Sequence, residues 1–134
     1  MPAPRAIRLI VVTPEQQVLD EYTSSVVFSA HDGEVGILPL RAPLLCELGV
    51  GQLRYQTGGT TRRLYIEGGF AEVMNNTVTV LTQRALPVDQ ITPQTIAEAE
   101  AAVASLVGSE PGTVSSRREA QERLRVLRRL RAMV

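Results

Sequence analysis

Acidic side chains are the first candidates for chemistry in this chain. Asp32, Glu34, Glu67 and Glu72 all fall in its first two thirds. General acid–base work needs two carboxylates held together in environments that push their pKa values apart. These four are scattered among short apolar segments, and no metal-ligating set accompanies them. His31 is the only histidine and Cys46 the only cysteine, so a His/Cys metal cage and an internal disulfide are both excluded. Cys46 has no cationic cluster near it and reads as a small buried apolar residue. No phosphate loop of the form G-x-x-x-x-G-K-S/T occurs. The residues predict no catalytic site, no cofactor and no metal.

The basic residues are arranged differently. All 14 are arginine and none is lysine, which points to a genome rich in G and C. Divided at Gly112, the chain has seven arginines and twelve acids before the cut, then seven arginines and two acids after it. An acidic body therefore carries a basic tail. Such asymmetry fits a tail that docks on something charged, and it equally fits a solvated helix face.

At 134 residues the chain is one domain of ordinary size, or a small domain with an appendage. It shows no long apolar run and no charged leader ahead of an apolar core, so neither a membrane span nor a secretory signal is expected. Residues 5–84 read as short strands: Arg5 to Val12, Ser25 to Ala30, Gly51 to Gln56, Arg62 to Glu67, Phe70 to Met74 and Thr77 to Gln83. Turn signals separate them at Thr13-Pro14-Glu15, Asp32-Gly33, Gly58-Gly59 and Asn75-Asn76. Many short strands at close spacing predict a sandwich or flattened barrel. Thr79, Thr82 and Gln83 are expected to face water, while Val78, Val80 and Leu81 fill the core.

The periodicity changes after Pro87. Thr92-Pro93 reads as an N-cap followed by proline at the first helical position. Ile96, Ala99, Val103, Leu106 and Val107 then recur at spacings of three and four, and Gly108 ends the helix. Pro111-Gly112 is expected to make the turn, and Ser116-Arg117-Arg118-Glu119 has the form of a capping box opening a second helix. Ala120, Leu124, Leu127 and Leu130 or Val134 make its apolar stripe, among arginines. A short αα-hairpin with so small a seam is marginal alone, so it must lean on the sandwich or on another protein. Protein docking, a solvated face, an anionic membrane and a nucleic acid are the alternatives. The apolar face lacks Trp and Phe, which disfavours the membrane, and no recognition motif supports nucleic acid.

One run joins the two themes: Asp32-Gly33-Glu34-Val35-Gly36-Ile37-Leu38-Pro39-Leu40-Arg41-Ala42-Pro43-Leu44-Leu45. Its glycines and prolines exclude a regular helix and place it where a sheet edge becomes an exposed loop that can face a partner. With this run, Gly49-Val50-Gly51-Gln52-Leu53, Gly68-Gly69-Phe70-Ala71-Glu72-Val73, Asn76-Thr77-Val78-Thr79-Val80-Leu81 and Leu124-Arg125-Val126, in this order and spacing, the chain resembles the ε subunit of bacterial F-type ATP synthases over nearly its whole length.

The resemblance implies a flattened β-sandwich of about ten strands over residues 1–86 and a regulatory antiparallel two-helix hairpin over residues 87–134. It implies a non-catalytic central-stalk subunit, peripheral to the cytoplasmic face of the bacterial plasma membrane, that couples rotation of the c ring to γ. Glu34, Val35 and Gly36 fall where that family meets the c ring, and Leu38, Pro39 and Arg41 fall near γ. Arg117, Arg118, Arg123, Arg125, Arg128 and Arg129 fall on the helix that meets the β and α subunits and inhibits ATP hydrolysis. Two departures stand out. Arg41 replaces a common histidine, which fixes a cation at that position. Ile91-Thr92-Pro93-Gln94-Thr95-Ile96 lacks the acid, arginine and alanine of the family's ATP motif, so ATP binding is expected to be weak or absent. A free-standing sandwich module with a basic helical tail is the other expectation.

Overall fold

The computed structural model describes residues 6–133. The chain divides into two compact units, Met1–Leu86 and Pro87–Val134. The first holds the sheet: β1 (Ile7–Val12), β2 (Gln17–Thr23), β3 (Ser25–Ala30), β4 (Gly33–Ile37), β5 (Leu44–Thr57), β6 (Thr60–Met74), β7 (Thr77–Leu81) and β8 (Ala85–Pro87). They follow the order β2-β1-β7-β6-β5-β3-β4, with β8 also paired to β6. The pairs β1–β2, β3–β4, β3–β5, β5–β6 and β6–β7 are antiparallel, and β1 with β7 run parallel.

The two longest strands connect the layers. The β5–β6 ladder runs from Leu44↔Val73 to Leu48↔Gly69, skips a step, and resumes at Val50↔Glu67. Arms 44–48 and 69–74 join β7, β1 and β2 in one layer, and arms 50–57 and 60–67 join β3, β4 and β8 in the other. Counting each bent strand as two arms reconciles the eight strands seen here with the ten of the sequence expectation. The bend is built on glycine. Gly69 has φ +98°, and a Cβ there would lie 1.9 Å from the carbonyl oxygen of Leu81. No other residue fits that close backbone approach.

Both inner faces feed one core. Ile7, Leu9, Val11, Val73, Val78 and Val80 from the first layer pack with Val26, Phe28, Ile37, Leu53, Leu64 and Ile66 from the second. Each set alternates along its strand, as a half-buried sheet requires. The phase inverts across the bend: the β6 residues of this core are even at Leu64 and Ile66, then odd at Ala71 and Val73, while Tyr65 is buried outside that cluster. The hairpin turns fall where expected, with Gly58, Gly59, Asn75 and Asn76 all at positive φ.

Several boundaries differ from the sequence reading. Arg5, the expected start of the first strand, lies outside the described residues, as does Val134 in the helical stripe. Strand β2 was not expected; its Gln17, Asp20, Glu21 and Thr23 obscure the alternation. The glycine- and proline-rich run is a strand in its first part and a loop only over residues 38–43. Leu81 is exposed and Thr82 is buried, the reverse of the expected phase. Beyond the end of β7, Thr82 donates its N–H to the Val12 carbonyl and its hydroxyl to the Arg84 carbonyl, which satisfies a buried polar side chain.

The second unit contains a 3-10 turn (Val88–Gln90), α1 (Pro93–Ser105) and α2 (Pro111–Arg131). Thr92 caps α1 reciprocally. Its hydroxyl accepts from the Thr95 N–H, and its own N–H donates to the Thr95 hydroxyl. α2 begins at Pro111, about a turn and a half before the expected box at Ser116. Proline at the first helical position has φ preset and no N–H to satisfy, so Pro111-Gly112 opens the helix and does not turn away from it. Ala120, Leu124, Leu127 and Leu130 are buried as expected, and Val126 widens the stripe.

Candidate functional site

The outer surface of the first layer is the most distinctive feature of the sheet unit. On β6, Phe70, Glu72 and Met74 point outward while Ala71 and Val73 point to the core. Their cross-strand partners extend the same face: Phe70 stands opposite Leu81, Glu72 between Leu45 and Thr79, and Met74 opposite Thr77. Leu45, Phe70 and Leu81 remain 68%, 53% and 55% exposed. Scattered exposed apolar residues are ordinary, but large ones in register on adjacent strands form a contiguous patch, and such patches mark interaction sites. The sequence reading missed this surface. Its signal was apolar residues at both parities of one strand: Phe70 and Met74 interleaved with Ala71 and Val73 just after a Gly-Gly pair.

Beside this face lies the 38–43 loop. Leu38 and Leu40 are 66% and 81% exposed, Arg41 is exposed, and Pro39 is half-buried. Leu40 has φ +67°, and its N–H donates to Asn76 Oδ1 at 2.7 Å. The side chain from the β6–β7 turn therefore anchors the loop in a left-handed conformation that leucine rarely adopts.

Glu34, Val35 and Gly36 are on the edge strand β4, not on a turn. Glu34 and Gly36 face outward, whereas Val35 packs toward the core. Glu34 Oε2 accepts from Arg54 Nη1 at 2.9 Å, reaching across β3 to β5.

The six arginines assigned to the second helix all lie on α2, in a variety of settings. Arg117 donates to the Gly108 carbonyl, Arg125 to Glu122, and Arg128 to Glu100 Oε2 on α1 at 2.9 Å. Arg118, Arg125, Arg128 and Arg129 are exposed, while Arg123 is half-buried and engaged. Near Ile91 and Ile96, Arg128 and Arg131 line a shallow cleft of about 630 Å³ together with Asp89. The structure thus brings cations to the place where sequence reading found none. An acid shares that cleft, and Arg128 is already paired with Glu100.

The acids of the opening sequence reading do not converge. Glu34 pairs with Arg54, Glu67 accepts from the Tyr65 hydroxyl at 2.8 Å, and Glu72 has no hydrogen bond or ion pair among the described residues. Among the described residues no group of three or more His, Cys, Asp and Glu could hold a metal ion. Burial pushes the Cys46 thiol up, away from thiolate chemistry. No helix among the described residues is long and apolar enough to cross a membrane.

Comparison with known proteins gives a consistent picture. The family described as ATP synthase, Delta/Epsilon chain, beta-sandwich domain matches residues 6–88. The ATP synthase epsilon chain of Rhodopirellula baltica is 44% identical over 98 residues, covering 70% of this chain and 77% of that one. That of Granulibacter bethesdensis is 42% identical over 103 residues, with coverage of 73% and 76%. That of Carboxydothermus hydrogenoformans is 47% identical over 79 residues, covering 59% of each chain. In fold, the chain is similar to one in the Euglena gracilis mitochondrial ATP synthase OSCP/F1/c-ring structure, with TM-score 0.75, 24% identity, and coverage of 99% and 84%. A chain of the Tetrahymena thermophila mitochondrial ATP synthase central stalk/c-ring gives TM-score 0.72 at 11% identity, with coverage of 98% and 99%.

Proposed function

The chain belongs to the family of ATP synthase delta/epsilon chains, and from that membership we propose that it is a central-stalk subunit coupling c-ring rotation to γ, with no active site of its own. The exposed apolar face of β5, β6 and β7, continued by Leu38 and Leu40, is the observation that carries this reading. A rotor subunit must transmit torque through a fixed contact, and rigid sheet with large apolar side chains in register supplies one. We assign this face and the Leu38–Pro39–Arg41 segment to γ, and the outward Glu34 and Gly36 of the edge strand to the c ring. Through these partners the subunit is held peripherally at the cytoplasmic face of the bacterial plasma membrane.

The second unit is assigned a regulatory role. Arg118 and Arg129 are exposed on α2, and no hydrogen bond or ion pair engages them among the described residues. Exposed pairs contribute only ~0.2–1 kcal/mol each. Inhibition of hydrolysis by contact with acidic segments of the β and α subunits therefore needs several arginines acting together.

The test is capture of the purified chain by γ and by a detergent-solubilised c ring, with a truncation after Leu86 beside it. Capture by γ that survives truncation, with faster ATP hydrolysis by the truncated complex, is the expected result. Failure of the full chain to bind either partner would remove the assignment.

A further inference from the structure

We propose that Glu72 determines the specificity of the sheet face assigned above to γ: it requires an arginine or lysine from the partner surface that covers it. This inference rests on that docking assignment and adds the chemistry that selects the partner.

Glu72 is surrounded by apolar and uncharged groups. Phe70 and Met74 flank it along β6, and Leu45 and Thr79 stand opposite it on the adjoining strands. No hydrogen bond or ion pair engages its side chain among the described residues, although Asp20 in the same layer shows that a partner can be found. Asp20 takes two bonds from Arg8, at 2.9 and 2.8 Å. That fork commits the arginine that β1 contributes to this face, so it is not available to Glu72. Glu47, opposite Phe70, is likewise exposed, and its side chain is unpaired among the described residues. The face is therefore apolar with uncompensated negative charge at its middle and at one side.

Covering such a face removes water from Glu72. A carboxylate left unpaired inside an apolar interface loses its hydration without replacement, so a matching surface must bring a cation to it. The apolar ring around it excludes water and strengthens that pair. The same charge rejects other occupants. A second copy docking face to face about a two-fold axis would bring the acids of one face against those of the other, which disfavours self-association.

The experiment measures the affinity of the full chain for purified γ at low and high salt, for wild type, Glu72→Gln, Glu72→Arg and Phe70→Ala. Circular dichroism melts establish that each variant is folded. Wild type is expected to bind, Glu72→Gln to bind about 10-fold or more weakly at low salt, and Glu72→Arg more weakly still. The salt dependence of wild type should be steeper than that of Glu72→Gln, while Phe70→Ala weakens binding at an unchanged salt slope. Glu72→Gln binding within about twofold of wild type at both salts, with Phe70→Ala weakened, overturns the inference and leaves the docking assignment standing. Phe70→Ala and Glu72→Arg both binding as wild type overturns both.

Discussion

Glu34 and Arg54 form an ion pair of 2.9 Å that reaches over the intervening strand β3, joining the edge strand β4 to the long strand β5. The side chain assigned to the c ring is therefore held by a cation of its own unit. The pair is half open to solvent, at 51% and 33% side-chain exposure, so screening keeps its contribution to stability small.

Glu34→Ala and Arg54→Ala should each lower the melting temperature by no more than about 6 °C, since an exposed pair contributes at most about 1 kcal/mol. Their effects on partner binding should separate. Capture of a solubilised c ring should weaken about 3- to 10-fold for Glu34→Ala, and should hold or strengthen for Arg54→Ala, which releases the carboxylate. Parallel losses in both variants would place the contact elsewhere on the edge strand.

Gly69→Ala should be among the most damaging single substitutions in the sheet. Its Cβ would meet backbone atoms of Leu81 and Thr82 that cannot swing aside, at a φ of +98°. A loss of about 3 kcal/mol or more is expected in urea unfolding. Gly58→Ala, also at positive φ but with open space around it, should cost only about 1 kcal/mol.

Asn76→Ala removes both the acceptor for the Leu40 N–H and a residue that tolerates φ +57°. A loss of about 1–2 kcal/mol is expected. Hydrogen exchange should report a larger acceleration at Leu40 and Arg41 than at the amides of β1 and β7. If γ docks on this loop, its affinity falls in the same variant.

The Arg8–Asp20 fork predicts a pH dependence. The guanidinium hydrogen bond holds the Asp20 carboxyl below its ordinary value of about 4. The unfolded chain binds the proton more readily, so the stability from this pair is fully present above the ordinary value and is lost as pH falls through the lowered one. Asp20→Asn should lower stability slightly at neutral pH, converge with wild type once the carboxyl is protonated in both states, and so flatten the acid limb of a stability-against-pH curve below about pH 4. An identical acid limb in the variant would show that the pair does not persist in solution.

ATP should bind weakly or not at all. The α1 start offers Thr92 and Pro93 where a phosphate would need cations, and Asp89 faces into the cleft that Arg128 and Arg131 line. Calorimetry of the full chain should detect no binding at micromolar ATP, and a low-micromolar dissociation constant would refute this.

Much of the fold was readable because the relevant signals are local. Alternation in Val78-Thr79-Val80 reports a half-buried strand, the β-branched and aromatic run Val26-Val27-Phe28 favours a strand, and Gly58-Gly59 and Asn75-Asn76 carry the φ preference of a tight turn. Strand β2 escaped because polar and apolar residues are mixed on both of its faces, with Asp20 beside Tyr22 outside and Glu21 beside Leu19 inside, so only pairing with β1 makes it a strand. The Ser116 box misled because capping chemistry also fits a helix interior that a proline has already opened upstream.

By itself the sequence determined the class of the fold, the turn positions, the absence of a converging catalytic set in its motifs, and the family, through short motifs in a set order. Tertiary structure alone decided which faces are open. The bend at Gly68-Gly69 inverts the inside–outside phase of β6, so Phe70, Glu72 and Met74 share an outer face with Leu45 and Leu81. Residues brought together by strand pairing have no common spacing along the chain. A surface made by register is therefore visible only once the strands are aligned.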